Sequence, residues 1–274
     1  MGAHPSVKNA ACKKKRLIDA DKLLNCSQRC ASDHRLLNMK STIPRTVIPI
    51  RLGSSLCYFI PSRNGALLID AGNAGKVDHL NSVLLAHEYE LQDIKLIVLT
   101  HTHHDHVGSL AEIKLRTGAK VMVHAAEAGF LQKGHTPLPN GTTPWTKLAV
   151  GAGRLANFGK YEAVTPDIVV NGKTDLREFG VNGKVLPTPG HTAGSISVIL
   201  NGRAFVGDTL FGFRSENVFP PFLSNLDELK KSWNILLNTP CRTFYPGHGR
   251  PISRPRFERA FSQLMNGQSL ETLS

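Results

Sequence analysis

From about residue 44 onward, apolar residues recur in two alternating patterns, one typical of strands and one typical of helices. Short runs rich in Val, Ile and Leu predict buried strands, the clearest of them at 95–99. Apolar residues at helical spacing, such as Val77, Leu80 and Leu84, predict a helix over 76–87. Further strands are predicted at 46–50, 56–60, 66–69, 120–124, 168–170, 184–187, 195–200, 204–206 and 243–245. Further helices are predicted at 107–117, 226–237 and 256–265.

The order of these elements predicts an α/β protein. Strands and helices form two similar halves, which favours two sheets packed against each other with helices outside. Residues 129–165 interrupt the pattern with clusters of Gly, Pro and Thr and one helical stretch at 145–158. A long insertion in a compact domain is typically a loop or lid beside the substrate. We predict that role for this segment.

The net charge of the chain is unevenly distributed. The formal charge of +12 over 274 residues invites a role in nucleic-acid binding. However, residues 1–40 contain nine Lys/Arg and three Asp/Glu, a surplus of six that is half of the total. We therefore predict a basic, flexible N-terminal extension at 1–40 and one domain at 41–274, and we do not expect nucleic acid as a partner. The basic remainder would still suit an anionic substrate.

Cysteine usage and hydropathy bear on the location of the protein. The five cysteines are odd in number and lack paired CxxC spacing: Cys12, Cys26, Cys30, Cys57 and Cys241. This pattern predicts reduced thiols in a cytoplasmic protein. No segment approaches the roughly 18 consecutive apolar residues that a membrane-spanning helix needs. We therefore expect no membrane association, and whether the chain forms a homodimer is left open.

A dense group of metal-ligating residue types follows the predicted strand at 95–99. The group is His101-Thr102-His103-His104-Asp105-His106. Residues i and i+2 of an extended segment point the same way, so His101 and His103 are predicted to bind one ion. Asp105 and His106 lie where the next helix begins and face a second ion. Imidazole nitrogen and carboxylate oxygen suit zinc and its neighbours in the first transition row.

Three further residues of the same chemistry follow predicted strands, each beside glycine. They are His191 in Pro189-Gly190-His191-Thr192, Asp208 in Gly207-Asp208-Thr209, and His248 in Pro246-Gly247-His248-Gly249. Glycine lets the backbone approach closely at such turns. A single histidine is more often an ordinary polar residue, and we assign no metal to His104 or His124. The joint pattern of seven ligands instead predicts a dinuclear site.

The chain resembles the metallo-β-lactamase superfamily of hydrolases over roughly residues 44–265. The motifs that carry the resemblance are Leu68-Ile69-Asp70-Ala71-Gly72, Thr100 through Gly108, Thr188-Pro189-Gly190-His191-Thr192, Gly207-Asp208-Thr209-Leu210-Phe211 and Gly247-His248-Gly249. The resemblance implies an αββα four-layer sandwich of two mixed β-sheets, with the metals at one edge. It implies one ion bound by His101, His103 and His191 and another bound by Asp105, His106 and His248, with Asp208 bridging. It also implies that Asp70 braces the ligand loop.

This resemblance implies a metal-dependent hydrolase with two divalent ions per chain, zinc first, with iron or manganese as alternatives. Two ions about 3.5–4 Å apart generate a hydroxide nucleophile at neutral pH and polarise the substrate. Asp105 is the candidate catalytic residue that orients the nucleophile and passes a proton to the leaving group.

Departures from known branches narrow the substrate. The run Gly207-Asp208-Thr209-Leu210-Phe211 resembles glyoxalase II, yet the 26 residues after His248 are too few for that enzyme's glutathione-binding region. Acyl-homoserine lactonases carry tyrosine where this chain has Phe211, and the best-known zinc β-lactamases carry Cys or Ser where it has Asp208. We therefore expect a small-molecule acyl substrate, cleaved at a carboxylic ester, thioester or lactone bond. Phenylalanines between 211 and 223 are expected to line its pocket.

Three alternatives stay open. One is phosphodiester or nuclease-like hydrolysis, which the basic charge encourages. Another is β-lactamase activity in the same superfamily. The third is a family member without catalysis that binds metal or ligand, although seven intact ligands argue against it.

Overall fold

The backbone of residues 47–266, apart from 63, 156–157 and 214–217, is described by a computed structural model. The predicted extension at 1–40, with Cys12, Cys26 and Cys30, lies outside these residues. Cys57 and Cys241 are buried free thiols, as predicted. Among the described helices, none combines the length and apolar character needed to cross a membrane.

The first sheet has the strand order β1-β2-β3-β4-β5-β7. Its strands are β1 (Ile48–Leu52), β2 (Ser55–Ser62), β3 (Gly65–Ile69), β4 (Ile94–Val98), β5 (Lys120–His124) and β7 (Ile168–Val170). The first three pair antiparallel, whereas β3, β4, β5 and β7 pair parallel. Parallel strands are covered on both faces, which explains the nearly continuous apolar run in β4.

The second sheet has the strand order β14-β13-β11-β10-β9-β8. Its strands are β8 (Thr174–Asp175), β9 (Gly183–Pro187), β10 (Ile196–Leu200), β11 (Arg203–Gly207), β13 (Thr243–Pro246) and β14 (Ile252–Ser253). Only β11 and β13 pair parallel, so this sheet is also mixed. A separate two-stranded pair joins β6 (Asn140–Gly141) to β12 (Phe222–Leu223).

The described residues form seven α-helices. They are α1 (Val77–Ala86), α2 (His104–Val107), α3 (Leu110–Thr117), α4 (Ala125–Lys133), α5 (Pro144–Leu155), α6 (Leu226–Leu237) and α7 (Arg254–Met265). One apolar cluster joins α1 and α3 to the first sheet, and another joins α6 and α7 to the second. A third cluster, with Leu67 and Val98 facing Val198 and Phe205, lies between the sheets. The predicted αββα sandwich is confirmed.

The segment 129–165 is more regular than predicted. The helix α4 was missed, because one of the two residues that it buries is Glu127 in its first turn, and a buried acidic residue breaks the apolar periodicity. The predicted helix 107–117 is two helices, α2 and α3, separated at Gly108 and Ser109. The strand β6 in this segment pairs with β12, and so attaches the insertion to the second half of the chain.

Candidate metal centre

The seven predicted ligands lie on segments that directly follow strands of both sheets. After β4 come His101 and His103, then Asp105 and His106 within α2. The others are His191 after β9, Asp208 after β11 and His248 after β13. The structure brings all seven together at one edge of the sandwich. Their binding of metal stays a prediction.

Three overlapping groups of side chains could each hold a metal ion. The groups are His101–His103–His191, His101–His106–Asp208 and Asp105–His106–His248, and the ligand atoms of each group lie within 4.8 Å of one another. Asp105 and His248 are half-buried, whereas the other five are buried. The first and third groups correspond to the two sets that the resemblance implied.

Asp208 lies between these two sets. Its Oδ1 is 3.3 Å from His106 Nε2, and its Oδ2 is 3.6 Å from His191 Nε2 and 3.5 Å from His248 Nε2. Because its two oxygens face histidines of both sets, this carboxylate has the position of a bridging ligand.

Glycines beside the ligands permit this convergence. A Cβ on Gly247 would lie 2.5 Å from His106 Cε1 and 2.6 Å from Asp208 Oδ1, closer than real Cβ atoms come to other atoms. Gly207 has φ of 50°, and a Cβ there would lie 2.4 Å from Thr100 Oγ1. The backbone approach inferred from the glycine-flanked motifs is therefore found.

Hydrogen bonds from outside the cluster fix the tautomers of two histidines. His191 Nδ1 lies 2.8 Å from the Phe222 carbonyl oxygen, and His248 Nδ1 lies 3.1 Å from the Ser54 carbonyl oxygen. A carbonyl only accepts, so both Nδ1 atoms carry the hydrogen and donate. The Nε2 lone pairs of both rings consequently point into the cluster.

Asp70 fixes two further histidines. Its carboxylate accepts from the Thr100 amide at 2.7 Å, the Thr100 hydroxyl at 2.8 Å and His106 Nδ1 at 2.9 Å. Since the Thr100 hydroxyl donates to Asp70, its oxygen accepts from His101 Nδ1 at 3.1 Å. The Nε2 atoms of His101 and His106 therefore present lone pairs to the cluster. Asp70 has φ of 61°, a conformation that non-glycine residues rarely adopt outside sites that require it.

This donor set fits divalent metal ions. His101 Nε2 is buried without a hydrogen-bond partner, and His191 Nε2 directs its lone pair at His103 Nδ1, 3.0 Å away. The inward lone pairs of these imidazoles and the carboxylates of Asp105 and Asp208 repel one another. A cation at their centre removes this repulsion. Nitrogen and carboxylate oxygen in this ratio suit zinc, iron or manganese.

The electrostatics of the cluster also favour a cation. Burial by itself raises the pKa of Asp105 and Asp208, but the charges of His106 and His248 hold both pKa values well below the usual range. Burial lowers the pKa of His106 and His248, but the neighbouring carboxylates, Asp208 first, together raise both pKa values. Burial, followed by the neighbouring His191, lowers the pKa of His103 to about 3. The carboxylates and His103 are thus in the protonation states that metal binding requires, whereas His106 and His248 would release a proton when a cation binds.

A family model described as "Metallo-beta-lactamase superfamily" matches residues 50–248. The chain belongs to this superfamily. The match contains all seven candidate ligands. It also contains Asp70.

This member of the metallo-β-lactamase superfamily is similar in sequence to two relatives that have different names. A "Beta-lactamase-like protein 2 homolog" of Drosophila melanogaster is 31% identical over 72% of this chain and 59% of the relative. A "Hydroxyacylglutathione hydrolase" of Shewanella pealeana is 30% identical over 45% of this chain and 35% of the relative. The matched region thus spans less than two thirds of either relative.

A solved structure of similar fold is an archaeal metallo-β-lactamase superfamily protein from Sulfolobus tokodaii. It has a TM-score of 0.59 and 23% identity, over 82% of this chain and 88% of that one. At this identity the likeness shows the shared fold.

One buried acidic residue near the cluster was missed in the sequence. Glu127 on α4 accepts hydrogen bonds from the amide and hydroxyl of Thr102 and from the Gly194 amide at 3.2 Å. It therefore ties the loop between His101 and His103 to the loop that follows His191. No sequence motif marks it, although a lone Glu in an Ala-rich helix is the kind of polar residue that needs a partner when buried.

A cavity of about 290 Å³ lies over the cluster. Five ligands form part of its wall: His103, Asp105, His191, Asp208 and His248. Apart from His104, the remaining wall is apolar and comprises Leu138, Pro139, Ala149, Val150, Phe211, Phe213, Pro221 and Phe222. We call this cavity the apolar lobe. Three of the four phenylalanines expected in the pocket line it, but Phe219 was wrongly included, because it packs against Trp233 in the core.

Proposed function

We propose that this chain is a metal-dependent hydrolase that cleaves a carboxylic ester, thioester or lactone. The observation that carries the proposal is the cluster of seven candidate ligands, five of which border an apolar lobe. A cluster with inward lone pairs suits metal-assisted hydrolysis. Apolar walls beside it suit the hydrocarbon part of an acyl substrate.

Two divalent ions are proposed, zinc first, with iron or manganese as alternatives. His101, His103 and His191 would hold one, and Asp105, His106 and His248 the other, with Asp208 between them. When bound, such ions supply Lewis acidity, which activates water at neutral pH and polarises an acyl oxygen.

Asp105 is the proposed catalytic residue of the chain itself. Its carboxylate borders the apolar lobe, and its Oδ2 lies 3.2 Å from His248 Nε2 and 3.3 Å from Ser54 Oγ. Because its pKa is held low, the carboxylate is ionised at neutral pH and can accept a hydrogen bond that orients the attacking water. We propose that it also passes the proton released by that water to the leaving group.

The apolar lobe positions the substrate and excludes water. Phe211 stacks on the His248 ring with centroids 5.1 Å apart, so it fixes that imidazole as well as forming a wall. The phenyl ring of Phe211 has no hydroxyl that could donate a hydrogen bond to an oxyanion.

We prefer acyl hydrolysis over phosphodiester hydrolysis because of the charges of the side chains that line the apolar lobe. The described residues that line it include no lysine or arginine. Transferred phosphoryl groups are usually stabilised by such cations in addition to metals. The name of the hydroxyacylglutathione hydrolase relative further supports a thioester. We accordingly propose a small-molecule acyl substrate in the cytoplasm, and no nucleic-acid partner.

A substrate panel tests this proposal. Zinc-loaded protein is assayed with an ester, a thioester, a lactone, a β-lactam and a bis-aryl phosphodiester. We expect the highest kcat/KM for one of the three acyl classes. Asp105→Asn should lower kcat about 100-fold or more, whereas Asp175→Asn, at an exposed carboxylate paired with Arg177, should not. A kcat/KM that is highest for the phosphodiester would overturn the acyl assignment.

A further inference from the structure

A second cavity, of about 270 Å³, adjoins the apolar lobe. The two cavities share three wall residues: His103, Leu138 and Pro139. The second cavity, which we call the polar lobe, is otherwise lined by residues from α4, from the segment that leads from α4 into β6, from the loop after His191 and by the residue that follows β12. The proposed function gives this cavity no part in the reaction.

The polar lobe differs from the apolar lobe in its chemistry. Its wall carries five hydrogen-bonding side chains, Glu127, Thr136, Asn140, Thr192 and Ser224. The described residues of its wall include no lysine or arginine. This composition suits a neutral group with N–H or O–H donors and disfavours an anion.

Two of these side chains have acceptor capacity left over. A carboxylate offers about four lone-pair sites, and Glu127 uses three of them for Thr102 and Gly194. Ser224 donates its hydroxyl hydrogen to the His191 carbonyl at 2.8 Å, so its oxygen can still accept.

The polar lobe also differs in its place relative to the ligands. The apolar lobe touches five of the seven, including Asp105 and Asp208, whereas the polar lobe touches only His103. The proposed function places the acyl side of the cleaved bond in the apolar lobe, because the walls of that lobe suit a hydrocarbon chain. The rest of the molecule can continue past Leu138 and Pro139 into the polar lobe.

We propose that the polar lobe binds the leaving-group arm of the substrate, and that this arm is neutral and bears amide or hydroxyl donors. This inference rests on the proposed acyl-hydrolase function, which assigns the other arm to the apolar lobe. It identifies the substrate as two-armed, with a hydrocarbon acyl group and a polar, uncharged alcohol or thiol.

Matched thioesters test the inference on the zinc-loaded full chain. Hexanoyl thioesters of N-acetylcysteamine and of pentanethiol have leaving groups of equal length, and only the first contains an amide. The glutathione thioester supplies an anionic arm. We expect kcat/KM for the N-acetylcysteamine thioester to exceed that of the other two by about tenfold, the size of one well-made hydrogen bond.

Three alanine-to-phenylalanine variants separate the two lobes. Ala193 lines the polar lobe, Ala149 lines the apolar lobe, and Ala86 at the end of α1 lines neither; all three are exposed. Ala193→Phe should raise KM for the N-acetylcysteamine thioester about tenfold and remove its advantage. Ala149→Phe should instead lower kcat/KM for hexanoyl substrates more than for acetyl substrates. Ala86→Phe should change neither preference.

The outcomes are distinguishable. Three results would overturn the inference and leave acyl hydrolysis intact. They are a kcat/KM that is no higher for the N-acetylcysteamine thioester, a higher kcat/KM for the glutathione thioester, and an equal loss of kcat/KM for all thioesters in Ala193→Phe. Thermal unfolding and the smaller Ala193→Val variant, with an intermediate loss expected, exclude misfolding as the cause.

A binding measurement covers the case in which no acyl substrate is hydrolysed. Calorimetry with the hydrolysis-resistant hexyl thioether of N-acetylcysteamine reports affinity alone. In that case the absence of hydrolysis overturns the proposed reaction, and weaker binding to Ala193→Phe would still support binding of the polar arm in the polar lobe. Unchanged binding would overturn the role of the polar lobe as well.

Discussion

At the scale of single residues, the cluster depends on how four of its five imidazoles are held from outside. Asp70 holds His106 directly and His101 through the Thr100 hydroxyl. The carbonyls of Phe222 and Ser54 hold His191 and His248 in the same way. Each contact places a hydrogen on the outer nitrogen and so leaves the inner one for a metal.

Asp208→Ala tests the bridging position. We expect the variant to fold but to bind fewer than two ions and to lose about 100-fold or more in kcat. Elemental analysis, circular dichroism and steady-state kinetics measure these effects. Asp175→Ala is the matched control, because that carboxylate is exposed and its ion pair is with Arg177. Full activity in Asp208→Ala would contradict the assigned role.

At the scale of elements, the ends of strands determine where ligands lie. The strands β4, β9, β11 and β13 each finish beside the cluster, and glycine at the turns lets the segments approach. The helix α4 adds a second constraint, since Glu127 joins two of the ligand loops.

Gly247→Ala should disrupt the cluster. The new methyl group would overlap His106 and Asp208, so we expect weaker metal binding and loss of activity. Gly151→Ala is the control: nothing lies within 4 Å of its Cβ position in α5, and the change should stabilise the fold by about 0.5–1 kcal/mol. Metal titration and thermal unfolding compare the two. Wild-type metal affinity in Gly247→Ala would show that the close approach is dispensable.

Glu127→Ala should loosen the loops on either side of His103. Two buried amides and one hydroxyl would lose their acceptor, at about 1–3 kcal/mol for each unsatisfied group. We expect about tenfold weaker metal binding and a lower unfolding temperature. Glu127→Gln, which keeps one acceptor oxygen, should recover part of both. An unchanged metal affinity in Glu127→Ala would argue against this coupling.

At the scale of the whole molecule, we expect metal binding and folding to be coupled. The ligands come from segments of both sheets and join only when the sandwich has formed. A ligand that binds only the folded state stabilises it by about 2.7 kcal/mol at a concentration 100-fold above Kd.

Metal removal should therefore destabilise the protein. Two ions at that concentration correspond to an unfolding temperature that is about 10–20 °C higher than in chelated protein. Calorimetric unfolding with and without chelator, together with elemental analysis giving two ions per chain, checks this expectation. Equal unfolding temperatures, or one ion after reloading, would exclude the dinuclear centre.

The sequence alone determined the features that depend on short-range spacing and residue chemistry. The strand 120–124 and the helix 226–237 match the structure at both ends, because their apolar periodicity is unbroken. The αββα fold and the seven ligand candidates could also be predicted from the sequence, since each candidate ligand lies in a local motif beside a predicted strand.

Only the tertiary structure decided the features that arise between distant segments. The role of Glu127 depends on Thr102 and Gly194, which lie 25 and 67 residues away. Phe211 and Phe219 look alike in the sequence, yet one faces the apolar lobe and the other packs in the core. The division of the site into two lobes results from Leu138 and Pro139, whose neighbours come from both halves of the chain. Sequence periodicity describes one segment at a time, whereas burial and hydrogen-bond partners are set by which segments meet.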